Sequence, residues 1–368
     1  MPHHYPEPEF SHDSILKTGI LLVNLGTPEA PTAAALKKYL RQFLSDPRVV
    51  EIPRWIWWFI LNGIILMTRP AKSAHKYASI WTEAGSPLRI NTENQVKKLS
   101  QQLSTMIDSP FVLTYAMRYG TPSIHEAIKH LKSEHCDRIA VLPLYPQYAS
   151  STTGSTFEEI FNELNQYRNM PAVRTVKHYH DDPRYIDSLK NKIESFWSIH
   201  GRPDVLVMSF HGVPEFTLTR GDPYHCECHK TARLLANALG LQKEQYRVSF
   251  QSLFGRAEWI KPYTEPLVKE LARQGVSHIQ LVCPGFLADC LETLEEIAQE
   301  VKNTFLTSGG RVFHYIPALN DDPTWIQSLS EIMLEQLSSW VHLKTSPPLP
   351  PHHGEICQKR ALALGAKK

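Results

Sequence analysis

The sequence predicts an α/β protein of two similar Rossmann-like lobes, each a parallel sheet flanked by helices, with a cleft between them. Three observations lead there. Short uninterrupted apolar runs alternate with longer amphipathic stretches. At 368 residues, and roughly 150 residues per domain, the chain is long enough for two separate cores. Its second half also echoes its first.

Six runs read as fully buried strands: Ile20–Val23, Val112–Tyr115, Ile139–Leu142, Val205–Met208, Val248–Phe250 and Ile279–Val282. A parallel sheet covered on both faces has no polar side, so its strands lack the usual in–out alternation. Helical periodicity fills the gaps, for example over Ile124–His135 and Thr264–Gln274. Such alternation implies right-handed crossovers and a doubly wound sheet.

The repeat is visible in motifs. Val23-Asn-Leu-Gly-Thr-Pro-Glu29 is echoed by Met208-Ser-Phe-His-Gly-Val-Pro-Glu215, and Val112–Gly120 by Arg247–Gly255. Ile139-Ala-Val-Leu and Ile279-Gln-Leu-Val follow, then Phe157-Glu-Glu-Ile160 and Leu294-Glu-Glu-Ile297. The halves join near Tyr167–Pro171. An N-terminal lobe is expected over residues 17–167 and a C-terminal lobe over 168–319, with a last helix near 320–341 packing back on the first lobe. Residues 1–16 and the Pro-dense, then basic, 345–368 read as flexible or extended tails.

Composition narrows the function classes. Lys plus Arg number 39 against 37 Asp plus Glu, which gives no basic excess for a nucleic-acid partner. No apolar run approaches about 18 residues, so no spanning helix is expected. The start shows neither a basic n-region nor an apolar h-region. Six cysteines without a signal fit a reducing cytoplasm better than a disulfide scaffold. Nucleotide-binding glycine patterns and the Gly-x-Ser-x-Gly elbow are missing, so a bound nucleotide and elbow-type hydrolysis lose their main support.

Ligands of doubly wound sheets sit beyond the carboxyl ends of the strands, so residues just after the buried runs matter most. His211, in Ser209-Phe-His-Gly212, ends one run. Its imidazole suits proton transfer near neutrality or metal ligation, against the plainer alternative of a histidine bonded to loop backbone. Asp289, Glu292 and Glu296 follow another run. If a helix begins near Ala288, they line one face at i, i+3 and i+7. That row could desolvate a cation or pass protons; it could equally be a solvated acidic first turn. The matching segment of the first half, Pro143-Leu-Tyr-Pro-Gln-Tyr148 through Gly154, suits a flat apolar ligand or a simple helix cap.

Arg54–Met67 is rich in Trp, Ile and Phe but too short to cross a bilayer. It reads as a core helix, a greasy rim at a ligand mouth, or an interfacial patch giving peripheral membrane contact through Trp55–Met67. Arg69 follows it, and Arg118-Tyr119 ends a buried run. Guanidinium beside aromatic surface suits a planar ligand bearing carboxylates, although any single Arg could be a surface ion pair. His225-Cys-Glu-Cys-His229 lacks the second pair that a structural zinc site needs, so it is read as a local reactive or adventitious site, or as without function.

Several of these segments, in this order, resemble the ferrochelatase family of bacterial type: Gly-Thr-Pro-Glu29, Leu-Tyr-Pro-Gln-Tyr148 with Ser-Thr-Thr-Gly154, Ser-Phe-His-Gly212, Gly-Asp-Pro-Tyr224, Gln-Ser-Leu-Phe-Gly255, and Cys-Pro-Gly-Phe286 with Asp289 to Glu296. The similarity runs from about Lys17 to Trp340. It implies a chelatase-type fold, with ferrous iron inserted into protoporphyrin IX between the lobes to give protohaem. Both iron and porphyrin would be substrates. By position, His211 and Glu292 match the family's catalytic and metal residues, and Asp289 and Glu296 its acidic relay. Leu25, Arg69, Tyr77, Ser86, Arg118, Tyr119, Trp259 and Phe286 match porphyrin-pocket positions, with a short insertion between Tyr77 and Ser86. Trp55–Met67 matches the lip of the pocket. Relatives that hold a [2Fe–2S] cluster carry a cysteine where Ser150 stands here and three near the C-terminus, where only Cys357 remains; no cluster is therefore expected. Two other readings stay in view: a cobalt or nickel chelatase acting on another tetrapyrrole, and a porphyrin- or haem-binding protein without chemistry.

Overall fold

The computed structural model describes residues 4–255, 257–347 and 354–366; residues 1–3, 348–353 and 367–368 of the two expected tails lie outside the described residues. Eight strands are described: β1 (Lys17–Gly26), β2 (Phe111–Tyr119), β3 (Cys136–Pro143), β4 (Ala172–Thr175), β5 (Val205–His211), β6 (Tyr246–Gln251), β7 (His278–Val282) and β8 (Val312–Tyr315). They form two parallel four-stranded sheets, ordered β2-β1-β3-β4 and β6-β5-β7-β8. The second order is the first with every strand replaced by its counterpart, so the repeat is one of topology as well as motif.

Side-chain alternation explains how these sheets are covered. Ile20 and Leu22 of β1 pack with Leu206, Met208 and Phe210 of β5 in one large cluster, together with Tyr185 and Trp325. Leu21 and Val23 point the other way, into a cluster with Ile128, Leu131 and Ile160. Val205 and Val207 do the same in the second half, with Val268, Leu271 and Phe305. Each sheet therefore has its own outer core, and both share an inner one.

Four expectations change. β2 and β6 are edge strands, so Val112–Tyr115 and Val248 are half-buried rather than fully buried. β4 pairs with β3, which carries the first sheet past the Tyr167–Pro171 junction to Thr175. Its four residues, half-exposed and interrupted by Arg174, give no apolar run to recognise. The ladders also shift the β2–β6 match by two residues: Leu22 pairs with Tyr115 and Met208 with Val248, while the motif match sets Tyr115 against Phe250. A longer loop absorbs the difference. Met117 N–H bonds to the Pro122 carbonyl and Phe250 N–H to that of Pro262, so twelve residues in the second half do what five do in the first. The C-terminal segment, finally, is not wholly extended, since Gly354–Ala363 is helical and Gln358 Nε2 donates to Ser11 Oγ at 3.0 Å. Its Ala, Leu, Gln, Lys and Arg residues are good helix formers.

The helices Pro183–His200 and Pro323–Leu337 follow β4 and β8 as another matched pair. Each has an Asp N-cap, Asp182 or Asp322, and proline in its first turn. They touch through Ser188 Oγ and Ser328 Oγ at 2.9 Å. The second also reaches the Pro87–Met106 helix, where Gln102 Nε2 donates to Gln327 Oε1 at 2.6 Å.

Candidate active site

His211 is the last residue of β5 and only half-buried, after six buried residues that fix its backbone in the sheet. Its Nδ1 lies 2.6 Å from the Gly212 carbonyl oxygen, and its ring centroid is 6.5 Å from that of Phe286. A carbonyl only accepts, so Nδ1 carries the hydrogen and, in the neutral ring, Nε2 keeps a free lone pair. Gly212 is glycine for want of room. A Cβ there would sit 2.9 Å from the Gln251 carbonyl oxygen and 3.1 Å from Trp259 Cε3. Trp259 is in turn held by its Nε1, which donates to the Phe254 carbonyl at 2.9 Å.

The acidic segment departs from expectation at its start. Asp289 precedes the helix, whose regular body, Glu292–Val301, is π-helical and continues as an α-helix over Lys302–Thr307. π-Segments concentrate at functional sites, and the counterpart after β3, Ser150–Gly154, is π-helical too. Asp289 thus leaves the expected file of three. Its buried carboxylate accepts from Tyr315 Oη (2.6 Å), Asn320 Nδ2 (2.7 Å) and Thr293 Oγ1 (3.0 Å), an anchor for the loop rather than an open ligand.

Glu292 and Glu296 remain together and half-buried. Glu296 accepts from the Ser252 backbone N–H at 2.7 Å and from the Ser252 hydroxyl. Burial raises its pKa above the ordinary carboxylate value; the Ser252 bonds and the His211 charge pull the other way, and Glu292 adds to the rise. The Glu292 backbone carbonyl accepts from Gln251 Nε2 at 2.9 Å. Around it, burial first and the Glu292 charge second raise the pKa of Tyr77 and of Cys290. His211, Glu292 and Glu296 therefore share one electrostatic neighbourhood, although they come from different strand ends.

The residues expected around a flat ligand are distributed over the same region. Leu25, Tyr77 and Tyr119 belong to one apolar cluster, with Tyr39 and with Leu291 and Leu294 from the acidic helix. Lys76 strengthens this contact between the halves through Glu295 (3.0 Å) and Glu300 (2.8 Å). Ser86 is buried and accepts from Thr27 Oγ1 at 2.8 Å. Arg69 lies over the Phe254 ring, 4.2 Å from its centroid. Arg118 is committed elsewhere: Nη2 meets Asp46 at 2.7 Å, Nε meets Ser155 Oγ at 2.8 Å, and only 13% of its side chain is exposed.

The Arg54–Met67 stretch is two-sided. Trp57, Leu61 and Leu66 are buried with Leu44 and Val50, and Phe254 of the long β6 loop packs on them. Trp55, Trp58, Phe59, Ile64 and Met67 are each at least 58% exposed. No helix among the described residues is long and apolar enough to cross a membrane. Two hollows of about 410 and 250 Å³ flank the Ser155–Leu164 helix and are lined by neither His211 nor Glu292. Sequence reasoning passed over Tyr39, Gln251, Ser252 and Cys290. Gln251 and Ser252 were within sight, since they open the Gln-Ser-Leu-Phe-Gly255 motif at a strand end.

A family model described as ferrochelatase matches residues 17–337. The chain is 56% identical over 344 residues to a protein named ferrochelatase from Chromobacterium violaceum, covering 94% of each. Over 363 residues it is 53% identical to the protein of that name from Nitrosomonas europaea, covering 99% of each. Among solved structures, SirB from Bacillus subtilis with Fe3+ superposes with a TM-score of 0.52 at 13% identity, covering 88% of this chain and 98% of that one. A likeness at that identity speaks for the fold alone, and it agrees with the paired sheets.

Proposed function

The chain belongs to the ferrochelatase family and inserts ferrous iron into protoporphyrin in haem synthesis, and we propose that His211 and Glu292 carry that insertion where the two sheets face each other. The product is neutral at the metal core only if two pyrrole N–H protons leave as Fe2+ enters, so the site must both deliver a cation and remove protons. The observation that carries the reading is the fixed orientation of His211, with Nδ1 tied to Gly212 and Nε2 left as a base, beside Glu292 and Glu296.

In this reading Nε2 of His211 takes a pyrrole proton as the ring nitrogen is exposed. Glu296, whose proton affinity burial raises, accepts that proton from His211 and releases it to water, which frees Nε2 to take the second pyrrole proton. Glu292 replaces water around the incoming iron; nitrogen and oxygen donors hold Fe2+ without the grip of thiolates. Asp289 serves by anchoring the loop from which this helix begins. Leu25, Tyr77, Trp259 and Phe286 offer apolar wall for the macrocycle, Arg69 and Ser86 flank it, and the fully buried Tyr119 backs the wall together with Arg118 through Asp46. A pocket that holds the ring distorted moves it towards the transition state.

We assign no [2Fe–2S] cluster. Cys226 is exposed and Cys228 fully buried, so the two do not face one ion together. The six free cysteines support a cytoplasmic location. The exposed Trp55, Trp58, Phe59 and Met67 support peripheral contact with a lipid surface.

Anaerobic incubation with Fe2+ and protoporphyrin, followed by the loss of porphyrin fluorescence, tests the assignment. His211→Ala should abolish turnover and keep the parent circular dichroism. Near-parental chelation by that variant would remove His211 from the reaction.

A further inference from the structure

Away from the strand ends just described, three metal-ligating side chains converge. His178 and His180 lie between β4 and the Pro183–His200 helix, and Glu227 lies in the helix Tyr224–Ala238. One ligand atom from each falls within 4.8 Å of the other two. Glu227 is the centre of His225-Cys-Glu-Cys-His229, and it alone of that motif joins the cluster. Cys228 is buried in the shared core, and the His225 and His229 rings lie 5.7 and 6.0 Å from the Phe250 ring. The carboxylate is the donor this motif turns towards the histidines.

The cluster is built rather than incidental. Glu227 Oε1 lies 2.6 Å from His178 Nδ1, and Oε2 lies 3.4 Å from His180 Nδ1 while accepting the Tyr148 N–H at 2.7 Å. His180 is only 5% exposed, yet its Nδ1 has no hydrogen-bond partner among the described residues. A buried nitrogen facing a carboxylate without bonding to it needs a reason, because such groups are otherwise satisfied. The turn that carries it is fixed by Thr231 Oγ1, which donates to the His180 carbonyl at 2.7 Å. Asp181, 3.9 Å from His180 Nδ1, is neutralised by Lys230. His178 keeps 40% of its side chain exposed, which leaves an entry path.

We propose that His178, His180 and Glu227 form a second site for a first-row divalent cation, distinct from the position of the substrate iron. Two imidazoles and one carboxylate, with water completing the shell, are a donor set for zinc or ferrous iron and not for calcium or magnesium. Binding displaces the proton that His178 and Glu227 share and gives His180 Nδ1 its partner. Because the histidines follow the first sheet and Glu227 follows β5, the ion ties the two halves together.

The test is an anaerobic Co2+ titration of the full, chelator-stripped chain, read by equilibrium dialysis and by visible ligand-field bands. Fluorescence turnover plays no part in it, so failure here is separable from failure of the iron-insertion reading. His211→Ala should still bind one Co2+ with ligand-field bands. His180→Ala and Glu227→Gln should each lose that equivalent, weakening it by more than roughly tenfold. His178→Gln, which changes a half-exposed side chain and keeps a hydrogen-bond donor for Glu227, should do the same with an unchanged metal-free melting curve. The proposal is overturned if His178→Gln and His180→Ala keep the parent stoichiometry, affinity and bands, or if His211→Ala binds no Co2+.

Discussion

Gln251 ties the strand beside His211 to the helix of carboxylates: its side-chain amide donates to the Glu292 carbonyl at 2.9 Å, and its own carbonyl accepts the Gly212 N–H at 2.8 Å. Ser209 Oγ, one turn of the pleat below His211, donates to the other side of the same amide at 2.7 Å. One residue thus sets the spacing between imidazole and acids.

Replacing it should separate positioning from folding. Gln251→Ala is expected to lower kcat about 10- to 100-fold, the usual cost of removing a group that orients a reacting one, with little change in KM for porphyrin. Stability should fall by about 1 kcal/mol, since Ser209 loses one of its two buried partners and keeps Thr264 Oγ1 at 2.8 Å. Parental kcat in a variant that melts early would assign Gln251 to the core alone.

Glu296→Gln should reveal the raised carboxylate. A group whose pKa is higher folded than unfolded contributes stability at low pH and loses it as pH rises through the folded value. The parent should therefore weaken relative to the glutamine variant as pH climbs from about 4.3, the ordinary glutamate value, upwards. Denaturant melts of the two proteins across that range check it; parallel curves would contradict the assignment.

Asp46 titrates in the opposite sense. Burial alone would raise it, but Ser155, Tyr119, the Arg48 N–H and Arg118 together hold it below its usual value. Its stabilisation is present above about pH 3.9, the unfolded value, and is lost as pH falls through the lower folded one. Asp46→Asn removes the nearer of two carboxylates from Arg118, leaving Glu159 at 3.6 Å, and should cost about 1–3 kcal/mol at neutral pH, with the gap to the parent closing in acid.

Gly212→Ala asks for space that is not there. Contacts of 2.9 Å to a backbone oxygen and 3.1 Å to Trp259 would push His211 or the tryptophan aside. A loss of about 1–3 kcal/mol is expected, with a fall in turnover measured by porphyrin fluorescence.

Trp58→Ser with Phe59→Ser tests the exposed lip. Co-sedimentation with anionic liposomes should drop markedly, since both rings are at least 60% exposed and make no core of their own. Equal sedimentation of parent and variant would assign the patch to the porphyrin mouth only.

How far the sequence could be read depended on local signal. β1 and β5 announce themselves because Ile20–Val23 and Val205–Met208 are buried on both faces. His211 stands out because it ends such a run at its tip. β4 is silent in the sequence because four half-exposed residues carry no periodicity, and pairing with β3, a tertiary contact, is what makes them a strand. Asp289 falls outside the α-helical spacing because the helix starts later and winds wider. Tyr39 and Gln251 are ordinary core and strand residues by type. Only the fold shows the first packed beside Tyr77 and the second bonded to Glu292.

The matched ladders make the tips of β1 and β5 topological twins. Leu22 pairs with Leu142 and Met208 with Val282, so three residues further on Leu25 stands where His211 does. Under the assignment proposed above, a macrocycle held between these tips meets an inert neighbour at one and a basic one at the other, and becomes handed on arrival. An aliphatic and a titratable side chain at equivalent strand tips break the equivalence that the doubled topology sets up.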